Sequence, residues 1–425
     1  MKKTQTQWQQ WIEPWYLVYT LIGLVAAGLT PVLIPLIVSR SGDAGQVGLV
    51  VAAFSLGGLT SPVWGSLADR YRLHRWLLAG GMLVASLGLA AFAFTTQPAL
   101  WFLLAVLQGL GAASASTVAN LFVVEAHPKS EWDERIGWLQ TFYGVGQVSG
   151  LVLAGLLTQT DFRVGLLTAA GLSAVAAILG WLTTQTPSAQ PGLAPVLVHP
   201  AKHTEGAFHS PQRLFHSLEL SGVKNLGSTL RSPFGFFLLI WLLAFMGPAA
   251  VFSQYPILMQ KVYGVLPAVS SIAFAIIAGL GLTLYTPAGQ WSEHRGPARI
   301  LQASLGMRLF AFAGLLWLGF LPISGNMNLL ALLAFAFVVW AWSLMSVSGT
   351  ALAARLSPVG EGQGLGIFNA ATAVAGVMGA LIGGWAAGLW GYTSIVVLAL
   401  LGVALGLGLS FILTKKDTKP NKEMI

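Results

Sequence analysis

Gly65-Ser-Leu-Ala-Asp69-Arg70-Tyr-Arg72-Leu-His-Arg75 follows one helix-length apolar run, and Gly289-Gln-Trp-Ser-Glu293-His-Arg295-Gly296-Pro-Ala-Arg299 follows another, 224 residues later. Glycine, carboxylate and closing arginine coincide in the two stretches, and a proline, Pro62 or Pro287, precedes each glycine. A second echo runs at nearly the same distance: Gly137, Gln140, Gly150 and Gly155 recur 229 residues on as Gly366, Asn369, Gly379 and Gly384. The chain therefore reads as a tandem duplication with two halves of about equal length.

Both halves are mostly apolar. Of 425 residues, 55% are hydrophobic and 8% charged, with a mean hydropathy of +0.73, a composition that excludes a water-soluble globule of this length. Runs of about 20 apolar residues mark membrane spans. In the first half they fall near 16–38, 47–68, 76–95, 100–124, 135–158 and 164–184. In the second they fall near 234–258, 267–290, 298–320, 327–354, 363–388 and 392–414. The expected fold is an all-α membrane protein of twelve transmembrane helices: a six-helix bundle over 1–184, a cytoplasmic linker over 185–233, a second six-helix bundle over 234–414 and a cytoplasmic tail over 415–425. Parallel six-helix repeats are a transporter architecture, with the binding site near mid-membrane where the halves meet.

Basic residues orient the spans, because Lys and Arg in short loops stay on the cytoplasmic side. With both termini in the cytoplasm, 18 of the 22 Lys and Arg lie inside and only Arg40, Arg163 and Lys261 outside. The net charge of +8 then follows from topology and calls for no nucleic-acid partner. No cleavable leader is expected, since the amino end is polar and carries Trp8, Trp11 and Trp15, which suit an interfacial approach to the first span. There is no cysteine, so disulfides are excluded and the redox compartment stays undefined. The linker holds His199, His203, His209 and His216, whose spacing of 4, 6 and 7 fits no compact metal motif. Neither a metal nor a cofactor is expected, and residues 212–220 suit a short amphipathic helix on the inner leaflet.

The glycine, acid and arginine pattern between spans 2 and 3, repeated more weakly between spans 8 and 9, resembles the signature loop of the major facilitator superfamily. Gln108-Gly109-Leu-Gly111-Ala-Ala in span 4 is similar to the core of a second motif of that family. Gly144, Gly146, Gly150 and Gly155 in span 5 resemble the antiporter motif of its drug-exporting branches. The resemblance implies a twelve-helix drug-efflux-type permease of the inner membrane. Such a protein is a secondary active transporter, monomeric by default and surrounded by membrane lipids, that moves a small-molecule substrate by alternating access. It also implies a cytoplasmic latch in which Asp69 reaches the start of span 11, Gly360-Glu-Gly-Gln-Gly364, when the molecule faces outward. Three positions depart from the family's pattern: Ala105 stands for an arginine, Leu151 for a proline and Arg72 for a glycine. The arginine and the proline are associated in the family with proton coupling and antiport.

The latch has a plain physical basis, because a carboxylate is stabilised by free amides and the positive dipole end at a helix start. Arg70 or Arg75 either pairs with Glu125 at the inner end of span 4 or merely obeys the positive-inside rule. The expected cytoplasmic gate is thus Gly65, Asp69, Arg70, Arg75 and Glu125 with Gly289, Glu293 and Arg299. Gly146, Gly150, Gly379 and Gly383 are expected where spans 5 and 11 cross their neighbours, since a missing side chain lets backbones close up, and where the halves slide.

No acid is expected in mid-membrane. Asp43 and Asp161 lie outside, and the other twelve fall at inner helix ends, in cytoplasmic loops or in terminal segments. Proton exchange needs an ionisable group on the pathway. Either gate carboxylates such as Asp69, Glu125 or Glu293 couple protons, or the protein is a facilitator for neutral solutes such as sugars, or for lipids, or the substrate carries the charge. Arg308, about ten residues into span 9, is the sole ionisable residue expected deep in a span. It either snorkels or bonds backbone carbonyls, or it meets an anionic or zwitterionic ligand. Recognition otherwise falls to uncharged groups. Gln140, Tyr143 and Gln147 share one face of span 5 and Asn369 and Thr372 a face of span 11. The further candidates are Tyr19, Gln108, Asn120, Gln254, Tyr255, Tyr285 and Trp340. No nucleophile, base or metal constellation marks an enzyme.

Overall fold

A computed structural model describes residues 13–126, 132–184, 232–322, 325–358 and 361–417, and every regular element among them is helical. The first half supplies α1 (16–41), α2 (44–71), α3 (His74–Phe94), α4 (Pro98–Ala126), α5 (Trp132–Leu157) and α6 (Phe162–Thr183). The second supplies α7 (Pro233–Ser253, resumed as Tyr255–Tyr263), α8 (267–295), α9 (Pro297–Leu318), α10 (Gly325–Leu356), α11 (Glu361–Trp390) and α12 (Thr393–Asp417). Nine of these described helices are individually long and apolar enough to cross a membrane. The remaining three have local reasons to fall short. Gln140 and Gln147 dilute the apolar stretch of α5, and α2 and α8 are interrupted.

Both interruptions fall at the same place in the repeat. α2 tightens to a 3-10 turn at Gly57–Thr60, and α8 stops at Leu282 and resumes at Tyr285, in each case just before the proline that precedes the arginine loop. A proline offers no N–H to the carbonyl four residues back and its ring crowds that carbonyl; the carbonyls concerned are those of Gly58 and Thr283. A threonine hydroxyl adds a bond beside each break without reaching the freed carbonyl: Thr60 Oγ1 donates to Gly57 O at 2.6 Å and Thr283 Oγ1 to Leu280 O at 2.7 Å. In α1 the same defect at Pro31 is preceded by a π-helical stretch, Gly23–Leu29, a widening often found at functional crossings.

Both arginine loops turn through a residue of positive φ. Arg72 closes α2 in the left-handed region (φ 53°, ψ 38°), and its counterpart Gly296 has φ 86° and ψ 139°. A side chain there costs about 1–2 kcal/mol, against roughly 0.5–1 kcal/mol of extra chain entropy for glycine. Arg72→Gly is therefore expected to raise the melting temperature of the detergent-purified protein by about 1–3 °C. A fall would show that the arginine side chain contributes more than its backbone strain.

Helix pairings obey the duplication throughout. α1 packs on α5 and α6 as α7 packs on α11 and α12, and α3 packs on α4 and α6 as α9 packs on α10 and α12. The two most extensive contacts between the halves, α2 with α11 and α5 with α8, are the same contact repeated. Two apolar cores fill the first six helices, one of them taking in Ile257 and Ala275 from across the interface, and a third, which takes in Ala44, fills the last six.

Span 7 differs from the expected 234–258. The helix ends at Ser253, Gln254 leaves helical geometry (φ −123°, ψ 14°), and Tyr255–Tyr263 meets Pro267–Leu282 at 119°. Trp15 also differs from the expected interfacial placement. It is 5% exposed, packs on Tyr16 and Phe122, and donates from Nε1 to Glu13 Oε2 at 2.8 Å. Glu13 in turn pairs with Arg135 at 3.3 Å, tying the approach of α1 to the first turn of α5. Trp8, Trp11, the four linker histidines and segment 212–220 lie outside the described residues.

Candidate functional site

The echoed positions sort into three kinds. Gly155 and Gly384 are where the halves touch. A β-carbon on Gly155 would lie 2.8 Å from Ile272 Cγ1 and 2.9 Å from the Ala268 carbonyl oxygen on α8. One on Gly384 would lie 2.7 Å from the Ala44 carbonyl oxygen and 2.8 Å from Gly48 Cα on α2. Gly150 and Gly379 instead pack within their own halves, since a β-carbon on either would overlap the Leu24 carbonyl oxygen of α1 or the Met246 carbonyl oxygen of α7. Gly146 and Gly383 continue those crossings, against Thr20 and Ala250. The glycines singled out in the sequence for sliding thus hold each half together, and the contact between halves belongs to Gly155 and Gly384.

Gln140 and Asn369 are the third kind. Positions 155, 148 and 144 share a face of α5, and all three meet α8; a β-carbon on Gly279 would lie 3.7 Å from Val148, and one on Gly144 would lie 2.8 Å from Leu282. One turn further along that face, Gln140 is exposed. Positions 384, 380 and 373 share a face of α11 and meet α2, and one turn further Asn369 is exposed. Both interfaces therefore part at equivalent residues, roughly 12 Å along each helix from its first residue. The result is a cleft between the halves that opens toward the arginine loops. The opposite end is shut: Gln254 Nε2 donates across the halves to Ala44 O at 2.9 Å, and Tyr255–Tyr263 packs on α1.

The two sides of the cleft differ. On the first half, Asn120 Nδ2 donates to the Tyr19 hydroxyl at 3.4 Å and to Ser116 O at 2.8 Å, the Tyr19 and Tyr143 rings are 5.1 Å apart, and the Tyr19 hydroxyl also interacts with Gln140. Four residues expected at the site, from α1, α4 and α5, thereby form one polar cluster, with half-buried Gln147 a turn away on α5. Aromatic rings dominate the second half beside Asn369. Phe245 and Trp342, both half-buried, form the surface with their rings 5.3 Å apart, and Trp241 and Phe368, 1% and 5% exposed and 4.5 Å apart, back them in the core. Trp241 Nε1 donates to Thr372 Oγ1 at 2.8 Å, fixing the indole against α11. Tyr285, 37% exposed, brings its hydroxyl to Ser343 and Ser346.

Sequence reading missed this aromatic wall. Phe234, Phe237, Trp241 and Phe245 recur at helical spacing, but such a stripe reads equally well as core, and the first three are core, with only Phe245 half-buried.

Four expected cavity residues are placed elsewhere. Gln108 is 2% exposed and donates from Nε2 to Thr30 Oγ1 at 3.1 Å, joining α4 to α1. Gln254 and Tyr255 lie in the shut end, the Tyr255 hydroxyl donating to Ser270 O at 2.9 Å. Trp340 Nε1 donates to Ile277 O at 3.0 Å and so links α10 to α8. A polar group inside a bilayer must find a partner, and for these four a neighbouring helix supplies an acceptor to the N–H or O–H donor, although Gln254 Oε1 is buried without a partner among the described residues.

In the arginine loops, Arg75 lays its guanidinium over the Trp181 ring of α6 at 4.0 Å. Gly65 faces Thr117 of α4, and a β-carbon on Gly289 would meet nothing within 4 Å. Glu293 and Arg299 are exposed. The side chains of Asp69, Arg70 and Glu125, and the loop before α11 at Gly360, lie outside the described residues. Among the described residues no cluster of His, Asp or Glu could hold a metal ion.

Arg308 of α9 is 0% exposed, so its guanidinium does not snorkel to a surface. Its Nε donates to Val338 O at 3.4 Å and its Nη1 to Met345 Sδ at 3.3 Å, both on α10.

The sequence model described as Major Facilitator Superfamily matches residues 15–358. Multidrug resistance protein MdtH of Photorhabdus laumondii subsp. laumondii is 26% identical over 332 residues, 76% of this chain and 72% of that protein. Tetracycline resistance protein, class C, of Escherichia coli is 32% identical over 167 residues, 39% of this chain and 41% of that protein. Among solved structures, the nucleoside transporter NupG superposes with a TM-score of 0.74 at 14% identity, covering 95% of this chain and 98% of that one. A D-xylose-proton symporter superposes with a TM-score of 0.67 at 17% identity, covering 93% and 96%. At those identities the two structural likenesses are of fold alone.

Proposed function

The chain belongs to the Major Facilitator Superfamily, and from that premise we propose that it exports hydrophobic or amphipathic small molecules by alternating access. It is an integral, multi-pass membrane transporter and not an enzyme. The observation that carries the finer reading is the cleft that opens at Gln140 and Asn369 between a polar and an aromatic wall. An amphipathic molecule would set its polar end against Asn120 and Gln140, backed by the buried Tyr19, and its apolar body against Phe245 of α7 and Trp342 of α10. Roomy apolar sites with a few convergent hydrogen-bonding groups suit such ligands. Relatives named for multidrug and tetracycline resistance support export over import.

The positive-inside rule places both termini in the cytoplasm of a cell whose inner membrane holds the protein. The cleft then faces the cytoplasm and the shut end faces outward. In the outward-facing state Asp69 would latch to the start of α11 on the cytoplasmic side. The protein acts as a monomer among membrane lipids.

A second reading is a facilitator for neutral solutes or lipids. It is favoured by the acids whose side chains are described, Glu13, Asp43, Asp161 and Glu293, all of which sit at helix ends or in loops. Everted membrane vesicles separate the readings. Dye accumulation that requires an imposed proton gradient and collapses with an uncoupler is the expected result; equilibration indifferent to the gradient would favour the facilitator.

Gln140→Ala and Asn369→Ala are each expected to raise the half-saturating substrate concentration about 5–10-fold, the loss of one hydrogen bond of roughly 1–1.5 kcal/mol. Leu182→Ala, at a residue 69% exposed on α6, should change nothing. Unaltered affinity in both polar variants would remove the site from this cleft.

A further inference from the structure

We infer that Arg308 is the seat of an anion, one layer behind the aromatic wall of the cleft. The inference deepens the transport reading and rests on it, since the route to Arg308 is the substrate cleft. Its Nη2 is buried and has no hydrogen-bond partner. The two partners its other nitrogens have, a carbonyl oxygen and a thioether sulfur, are neutral. Neutral acceptors leave a full positive charge uncompensated inside the bilayer, the situation in which intramembrane cations are paired or mark a ligand path. No described carboxylate approaches the guanidinium, and the Trp342 ring lies 5.6 Å from its central carbon.

Trp342 is only partly buried and packs on Phe245 of α7, so it separates Arg308 from the cleft. A rotation of that indole would open the buried Nη2 to a group entering from the cleft. The planar fork of arginine selects a carboxylate, sulfonate or phosphate-type oxyanion, which it can hold through two parallel bonds. Such an oxyanion has two sources, the transported molecule itself or a free inorganic anion.

The test compares a matched pair of probes on the full chain in detergent: 2-naphthoate and the neutral 2-naphthamide, with sodium sulfate as a third arm. Binding is read by tryptophan fluorescence and by the shift in melting temperature. Wild type is expected to bind naphthoate at least tenfold more tightly than naphthamide, Arg308→Met to lose that preference, and Arg308→Lys to keep part of it. Arg308→Met should itself fold, because replacing a buried, poorly compensated charge by an apolar side chain of similar length is neutral or stabilising. Stabilisation by sulfate that is absent from Arg308→Met supports the anion seat and makes its occupant a free ion. A preference for naphthoate without a sulfate effect supports the seat and makes the occupant the substrate. A wild type that neither prefers naphthoate nor responds to sulfate, or an Arg308→Met that keeps both responses, overturns the proposal. Export of an uncharged dye by the wild type in vesicles shows in any of these cases that the transport reading stands by itself.

Discussion

Gly48→Leu is expected to leave the protein folded and inserted but unable to shut the end opposite the arginine loops. A β-carbon at Gly48 would overlap the Ala380 carbonyl oxygen and lie 2.8 Å from Gly384 Cα, so the obstacle is backbone that no rotamer change removes. The clash sits between halves that must separate once per cycle in any case, and the molecule relieves it by staying apart there. Transport should fall at least tenfold while the melting temperature stays close to wild type. The natural chain has no cysteine, so spin labels at Gln97→Cys and Leu321→Cys report only the distance across that end, from the α3–α4 loop to the α9–α10 loop. The expected shift is toward longer distances. Wild-type transport with an unshifted distance would show that the α2–α11 contact is no gate.

Gly150→Leu places the same bulk on a contact of the same closeness and is expected to end differently. Its β-carbon would overlap the Leu24 carbonyl oxygen and lie 2.9 Å from Gly28 Cα, within the first half. α1 and α5 stay packed in every state of the cycle, so there is no open state in which the clash disappears. Overpacking of this kind costs about 1–3 kcal/mol or more, and the expected outcome is a protein that aggregates on extraction or melts at least several degrees lower. Gly379→Leu, at the equivalent crossing of α11 on α7, should behave alike. A folded but trapped Gly150→Leu, indistinguishable from Gly48→Leu, would falsify the division into fixed and parting contacts.

That division was only half visible in the chain itself. Gly150 and Gly155 lie in one helix and both recur 229 residues later, so repetition and spacing gave each the same standing. Their different roles depend on which helix faces them, α1 or α8, and periodicity along one helix carries no information about its neighbours. Gln108 and Gln140 make the same point at the site. Each is a glutamine in a span, yet Thr30 saturates the first while the second stands where an interface ends. The Tyr19, Asn120, Gln140 and Tyr143 cluster was legible as a set of residues but not as a cluster, because three helices contribute to it. The aromatic wall escaped because apolar rings are abundant in a chain that is 55% hydrophobic.

By itself the sequence determined the membrane class and the duplication. Apolar length and tandem spacing can be read along the chain alone, whereas a proline's effect depends on its surroundings: Pro35 and Pro248 sit inside continuous helices while α2 and α8 break before Pro62 and Pro287. The tertiary structure decided which glycines join the halves, which end of the molecule is shut, and that Arg308 is enclosed behind Trp342 with a nitrogen unpartnered. These are properties of contacts between helices distant in sequence, where a few tenths of an ångström between backbones decide whether two surfaces meet, and no single helix records them.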